Sequence, residues 1–109
     1  MARSVQLQIA ERARALIADE RHWCRGKLAR DINGHGVSPI STSAVKWCAL
    51  GAVVAATHEL TNDSDAAYTL AFKALRPHYS TTTLILINDI RGHSAALSVF
   101  DGVIAAAKL

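Results

Sequence analysis

The sequence predicts an α+β fold that is mainly helical: about four helices packed around a central apolar helix at about 43–59, with one small β-hairpin at about 27–38. Three observations carry this reading. Helical periodicity recurs in separate segments along the chain. The stretch from Val45 to Ala56 is apolar on nearly every face, as a helix surrounded by others is. A single Asn33-Gly34 pair sits between short alternating runs, the strongest short-range hairpin signal. With 109 residues, 50% of them hydrophobic, residues 1–109 are read as a single globular domain that builds a core without disulfides or metal.

The first helix is placed at about Ser4 to Asp19. Val5, Ile9, Ala13, Leu16 and Ile17 fall on one stripe, with Ser4 as N-cap. The hairpin follows, from Lys27 through Ile32 to a type I′ turn at Asn33-Gly34. His35 to Ser38 returns, and Pro39 ends the ladder. An isolated hairpin is marginal, so it must pack on the helices. Ser41, Thr42 and Ser43 supply N-cap candidates for the central helix, about Ser43 to Glu59. Gly51 within it costs about 1 kcal/mol relative to Ala, which implies close approach by another backbone or a ligand. Thr61-Asn62-Asp63 is read as the cap of a helix from about Ser64 to Leu75, closed by Pro77. Thr81 to Ile87 stays open between strand and buried helical turn, because its β-branched content and its brevity point opposite ways. Asn88 to Gly92 is read as a turn. His93 or Ser94 then caps a last helix, about Ala95 to Lys108, with Leu97, Phe100, Ile104 and Ala107 inward.

Composition narrows the function classes. Two cysteines are too few for a disulfide framework. No apolar signal segment follows the first residues, and the charge-free run from Trp47 to Thr57 is too short to cross a bilayer. The expectation is a cytoplasmic protein with reduced thiols and no membrane partner. Much of the apolar fraction is Ala, which buries little area per residue, so a homo-oligomer stays open as a way to cover an apolar face. The net charge of +3 is uneven: residues 1–30 carry seven basic side chains against three acidic ones. A basic first third can meet a nucleotide, a phosphate, nucleic acid or an acidic partner, or can simply be a solvated helix face.

Every Trp in the chain is followed by a Cys: Trp23-Cys24 and Trp47-Cys48. Cys24 has His22 and Arg25 beside it, which makes it a weak candidate nucleophile. Cys48, among apolar residues, reads as a small hydrophobe. Trp23 at a helix-to-hairpin junction is the better candidate for stacking on a ligand, and Trp47 reads as core. Arg30-Asp31 precedes the hairpin turn as an ion pair or a ligand handle. Asn88-Asp89, with Arg91 and His93, precedes a helix N-terminus, where anions are favoured. The alternative is that Asn88 and Asp89 satisfy turn and cap hydrogen bonds. The five histidines and two cysteines show no metal-ligand spacing, so no metal and no cofactor is expected. No GxGxxG, P-loop, GxSxG, HExxH or CxxC motif occurs, and Asn33-Gly34-His35-Gly36 lacks the strand–loop–helix setting of a phosphate cradle.

The pattern Trp23-Cys24-x-Gly26-x-Leu28-Ala29-Arg30-Asp31, then Gly34, Pro39, Trp47-Cys48-Ala49-Leu50-Gly51-Ala52 and Asn88-Asp89 before a final helix, resembles a small uncharacterised bacterial and bacteriophage family known only as a domain of unknown function. The chain departs from that family's habit at Ile87, where an aromatic is usual, and at Gly92-His93 in place of an Arg-Thr cap. The resemblance implies no activity. By analogy with small phage proteins it implies an accessory or counter-defence role.

The functional expectation is a non-enzymatic binding module. A cleft between hairpin and helices, lined by Trp23, Arg25, Arg30, Asp31, Asn88, Asp89 and His93, would hold a small anionic or nucleotide-like ligand or a protein partner. Three rivals are an interaction protein that acts as a homo-oligomer without a small ligand, a Cys24-dependent hydrolase or transferase, and a nucleic-acid binder.

Overall fold

A computed structural model describes residues 4–62, 75 and 79–107. It shows the mainly helical α+β fold. The order is α1 (Val5–Ile17), a 3₁₀ turn (Glu20–His22), β1 (Ala29–Arg30), β2 (Gly36–Val37), β3 (Lys46–Trp47), α2 (Ala49–Thr61), α3 (Thr81–Leu86), a π-helical turn (Ile87–Arg91) and α4 (His93–Ala107). The predicted helix from Ser64 to Leu75 and its end at Pro77 lie outside the described residues, except for Leu75, which is buried in the core.

Ser4 caps α1 by accepting from the Leu7 N–H at 3.1 Å. The buried stripe of α1 is Leu7, Ile9, Ala10, Ala13 and Ile17. It is rotated from the predicted one, so Val5 lies exposed at the rim and Leu7 inside. α1 packs against both α2 and α4, and α2 also meets α3. Ile9, Ala13 and Ile17 meet Val53 and Ala56 of α2 and Phe100 and Val103 of α4 in one cluster. The inward face of α4 is Ala96, Val99, Phe100 and Val103, with Leu97 and Ile104 partly buried against it. Ala107 is exposed rather than inward, because the last turn of α4 runs past the core.

The predicted hairpin is one half of a three-stranded antiparallel sheet ordered β2-β1-β3. Ala29 pairs with Val37 and Arg30 with Gly36 on one side. Trp47 and Lys46 pair with the same two residues on the other. The type I′ expectation fails. Among described residues outside glycine only Asn62 has positive φ, so Asn33 does not, and Gly34 alone turns left-handed at φ 84°. The reason is Asp31. Its Oδ1 accepts the N–H groups of Asn33 and His35, both at 2.9 Å, which favours a longer, Asx-type turn.

The central apolar helix begins six residues later than the predicted Ser43. Lys46 and Trp47 are drawn into the sheet as β3, and Cys48 becomes the N-cap, with its sulfur accepting from the Gly51 N–H at 3.3 Å. Ser41 and Ser43 hydrogen-bond to each other instead of capping the helix. At the other end Asn62 closes α2 in the left-handed conformation, with its N–H on the His58 carbonyl. Thr61-Asn62 therefore ends α2, and the predicted cap role toward the next helix lies outside the described residues. Gly51 is explained by close approach: a Cβ there would stand 1.9 Å from the Leu28 carbonyl oxygen. The open segment 81–87 is helical through Leu86, capped by Ser80. The Asn88–Gly92 turn is a π-helical widening that runs from Ile87 to Arg91.

Candidate functional site

The two Trp-Cys dipeptides lie side by side. Trp23 and Trp47 form an isolated parallel bridge, and the Cys24 N–H donates to the Trp47 carbonyl at 3.0 Å. The Cys48 N–H donates to the Leu28 carbonyl at 3.1 Å. The segment after the 3₁₀ turn is thus laced to the segment that enters α2. Trp47 donates its indole N–H to the Pro39 carbonyl and packs against the core.

Asn88 closes this junction. Its side chain is fully buried, and all four of its hydrogen-bond positions are filled. Oδ1 accepts from Trp23 Nε1 at 2.7 Å and from the Ala49 N–H at 3.0 Å. Nδ2 donates to the Cys24 carbonyl at 3.1 Å and to Asp89 Oδ1 at 2.9 Å. One amide therefore satisfies an indole, a free N–H at the start of α2 and a loop carbonyl. The π-helical widening turns this amide inward, while the next residue but one, Ile90, stays 73% exposed.

Trp23 is framed on two sides. The Arg25 guanidinium lies over its ring at 5.0 Å, and the His93 ring tilts against it at 5.5 Å. His93 Nε2 meets the Ile17 carbonyl at 2.6 Å and so caps the end of α1. Arg25 donates to the Asp89 backbone carbonyl at 3.1 Å. Asp89 Oδ1 also accepts from the Gly26 N–H at 3.2 Å. Arg30 donates to the carbonyls of Gly34 and Arg25, tying the hairpin tip to the 25–28 loop.

Of the residues singled out in sequence, the structure brings Trp23, Arg25, Asn88 and His93 together at one junction, with Arg30 bound to its edge and Asp89 beside it. Asp31 serves the hairpin turn, where its two backbone hydrogen bonds hold its carboxyl below the ordinary range. Cys24 is buried, and burial pushes its thiol up despite the opposing charges of Arg30 and Lys46. Burial pushes the Cys48 thiol up to about 11, although it caps a helix N-terminus. Both cysteines are free thiols.

Next to this junction lies a groove of about 320 Å³, lined by Gly26, Lys27, Leu28, Cys48, Ile85 and Asp89. Leu28, Ile85 and Cys48 make it largely apolar. Lys27 and Asp89 put opposite charges on its walls. Only Asp89 of these was singled out from the sequence. By local pattern Lys27 and Leu28 are strand residues, Cys48 is mid-helix and Ile85 is ambiguous, and nothing local shows that four segments converge there.

The cations divide into two groups. Arg12, Arg14 and Arg21 pair with Glu59, Asp101 and Asp19. Among the described residues no carboxylate ion pair engages Arg25, Lys27, Arg30 or Lys46. Arg30 and Lys46 stand directly opposite each other in the sheet, and Lys27 lays its stem over Gly36 in the same row. Among the described residues no group of three or more His, Cys, Asp or Glu stands close enough to hold a metal ion. No helix among them is long and apolar enough to cross a membrane.

Set against known proteins, residues 1–106 match the model of a family described as a family of unknown function (DUF6197). No curated protein and no solved structure matches the chain.

Proposed function

The chain belongs to that family of unknown function, DUF6197, and from its geometry we propose that it is a non-enzymatic binding module for a small anionic, nucleotide-like ligand held in the groove beside the Asn88 junction. One observation carries the reading: a largely apolar groove of about 320 Å³ is lined by one cationic residue, Lys27, and one anionic residue, Asp89. That volume lies at the small end of ligand sites, where few polar groups fix orientation on apolar walls. Leu28 and Ile85 take the faces of a planar group. Asp89 Oδ2, which has no donor among the described residues, accepts from a ring N–H or amino group. Lys27 takes the anionic end, with Arg25, Arg30 and Lys46 raising the local positive potential. Trp23 and Asn88 support this site from behind, since their polar atoms are engaged with each other.

Calorimetric titration with a nucleoside monophosphate tests this. Saturable binding is expected, weakened about tenfold or more in Lys27→Ala and Asp89→Asn, since a charged hydrogen bond is worth about 1.5–3 kcal/mol. Arg14→Ala, whose partner is Asp101, should bind as the parent does. No saturable binding to any nucleoside monophosphate, or undiminished binding by both groove variants, rejects the reading.

A second reading rests on Leu86 and Ile90, which are 51% and 73% exposed next to the groove wall at Ile85. Such a patch favours a protein partner, a second copy included. Light scattering on the parent and Ile90→Glu tests the second copy: a dimer that dissociates in the variant supports it, and a monomeric parent removes it.

A further inference from the structure

The pairing of the two Trp-Cys dipeptides has a chemical consequence of its own. The parallel bridge aligns Trp23 with Trp47. Trp23 and Cys48 both have extended backbones. One residue beyond this bridge the two chains continue to Cys24 and Cys48, the Cys24 thiol meets the Lys27 carbonyl at 3.6 Å, and Cys24 is near enough to help raise the Cys48 thiol. Neighbouring strands run about 4.8 Å apart, inside the Cα separation of about 4.4–6.8 Å that a disulfide spans. The two backbones are held in that register by the Cys24 N–H to Trp47 carbonyl and the Cys48 N–H to Leu28 carbonyl hydrogen bonds. The carbonyl and neighbouring indole of the Cys24 segment are fixed to the start of α2 through Asn88.

From this geometry we infer that Cys24 and Cys48 are an oxidisable pair, a modification site at which a low-molecular-weight thiol disulfide converts two thiols into one intramolecular disulfide. Cys48 lines the groove, so the groove admits the oxidant and holds its departing half. The Cys48 thiolate attacks the small disulfide R–S–S–R. A Cys48–S–R bond forms, the S–S bond of the reagent breaks, and one R–S⁻ leaves. The Cys24 thiolate then attacks Cys48 Sγ and expels the second R–S⁻. Two electrons pass from the cysteine pair to the reagent, and the two thiol protons end on the two released thiols.

The rate is gated by ionisation. Facing Cys24 are Arg30 and Lys46, which favour its thiolate, and Asp89, which opposes it. Facing Cys48 are Cys24 and Asp89, both opposing, and the Gly51 N–H, which favours the thiolate; Lys27 stands on the groove wall. Burial outweighs the favourable groups at both sulfurs. Exchange is therefore slow at neutral pH and accelerates as pH rises toward 9.

The test uses the whole protein and oxidised glutathione. Incubation at about pH 8.5 should give a monomer lighter by two hydrogen atoms, with Cys24 and Cys48 joined in one cross-linked peptide. The bond closes a loop of about 25 residues, so Tm should rise by on the order of 10 °C and return on reduction. Cys24→Ser should stop at one glutathione on Cys48. Cys48→Ser should stay unmodified or react far more slowly, because Cys24 does not line the groove. Cysteines that both remain alkylatable after prolonged incubation overturn the inference. A wild-type product that carries two glutathiones, or an intermolecular dimer, overturns it as well.

Discussion

Asn88 and Asp89 are adjacent in sequence and chemically similar, yet they belong to two different regions. Asn88 is at the centre of a buried junction where every polar atom of its side chain is matched. Asp89 is partly exposed on a groove, and only one carboxylate oxygen is committed to the protein. The difference follows from the π-helical turn, which directs one side chain inward and leaves the next at the surface. A polar motif next to a helix N-terminus can thus be half scaffold and half site. The two roles separate in experiment, because a buried matched group governs stability and an exposed unmatched one governs binding.

The largest expected effect is on the junction side. Asn88→Ala leaves the Trp23 indole N–H, the Ala49 N–H and the Cys24 carbonyl without their partner in a buried setting. Unsatisfied buried groups cost about 1–3 kcal/mol each, so a loss of about 3–5 kcal/mol is expected in urea unfolding. A loss below about 1 kcal/mol would show that the amide is not the keystone. Gly51→Ala comes next. Its new methyl would stand 1.9 Å from the Leu28 carbonyl oxygen, so the loop must move away from α2. Overpacking of this kind costs about 1–3 kcal/mol, and the gain of about 1 kcal/mol in helix propensity offsets only part of it. A stabilised Gly51→Ala would mean that Leu28 is not held against the helix.

Cys48 adds a pH dependence of intermediate size. Its folded thiol is raised by burial from an ordinary value of 9.0 to about 11. A raised value means the stabilisation is fully present below about pH 9 and is lost as pH rises through about 11. The loss across that window is on the order of 2–3 kcal/mol. Cys48→Ser keeps a capping oxygen and removes this ionisation, so its stability should fall less steeply over the same range. Equal slopes for the parent and Cys48→Ser would place the thiol in a wetter setting than the junction implies.

Much of the fold is legible in the residues because its signals are local. The Ile9, Ala13, Ile17 periodicity, the Ser4 cap and the all-apolar 49–56 run each act within a few positions, and the structure bears them out. Gly51 could be read as close contact because a mid-helix glycine needs a reason. The misplaced elements were set by long-range pairing. Lys46-Trp47 looks helical in sequence because it continues an apolar run, but β1 offers hydrogen bonds that draw it into a strand. Asn33-Gly34 carries a turn signal that the Asp31 carboxylate diverts. The groove was largely illegible for the same reason: Lys27, Cys48 and Ile85 are distant in sequence, and each has a bland reading alone. Arginines with and without a carboxylate partner among the described residues look identical in sequence too, since the partners of Arg12 and Arg14 are 47 and 87 residues away.

The smallest effect sharpens the comparison most. Asp89→Asn keeps an oxygen that can accept from the Gly26 N–H and the Asn88 amide, and the residue is not fully buried. A surface change that preserves its hydrogen bonds shifts stability by only about 0.5 kcal/mol or less. The same change removes the negative charge from the groove lining. If Asp89 belonged to the junction, its neutral analogue would unfold earlier in urea, as Asn88→Ala does. If it belongs to the groove, the unfolding midpoint stays put while nucleotide affinity falls. A double variant of Asn88→Ala with Asp89→Asn adds a control: for separate roles, its loss of stability equals that of Asn88→Ala to within about 0.5 kcal/mol, despite the hydrogen bond between the two side chains.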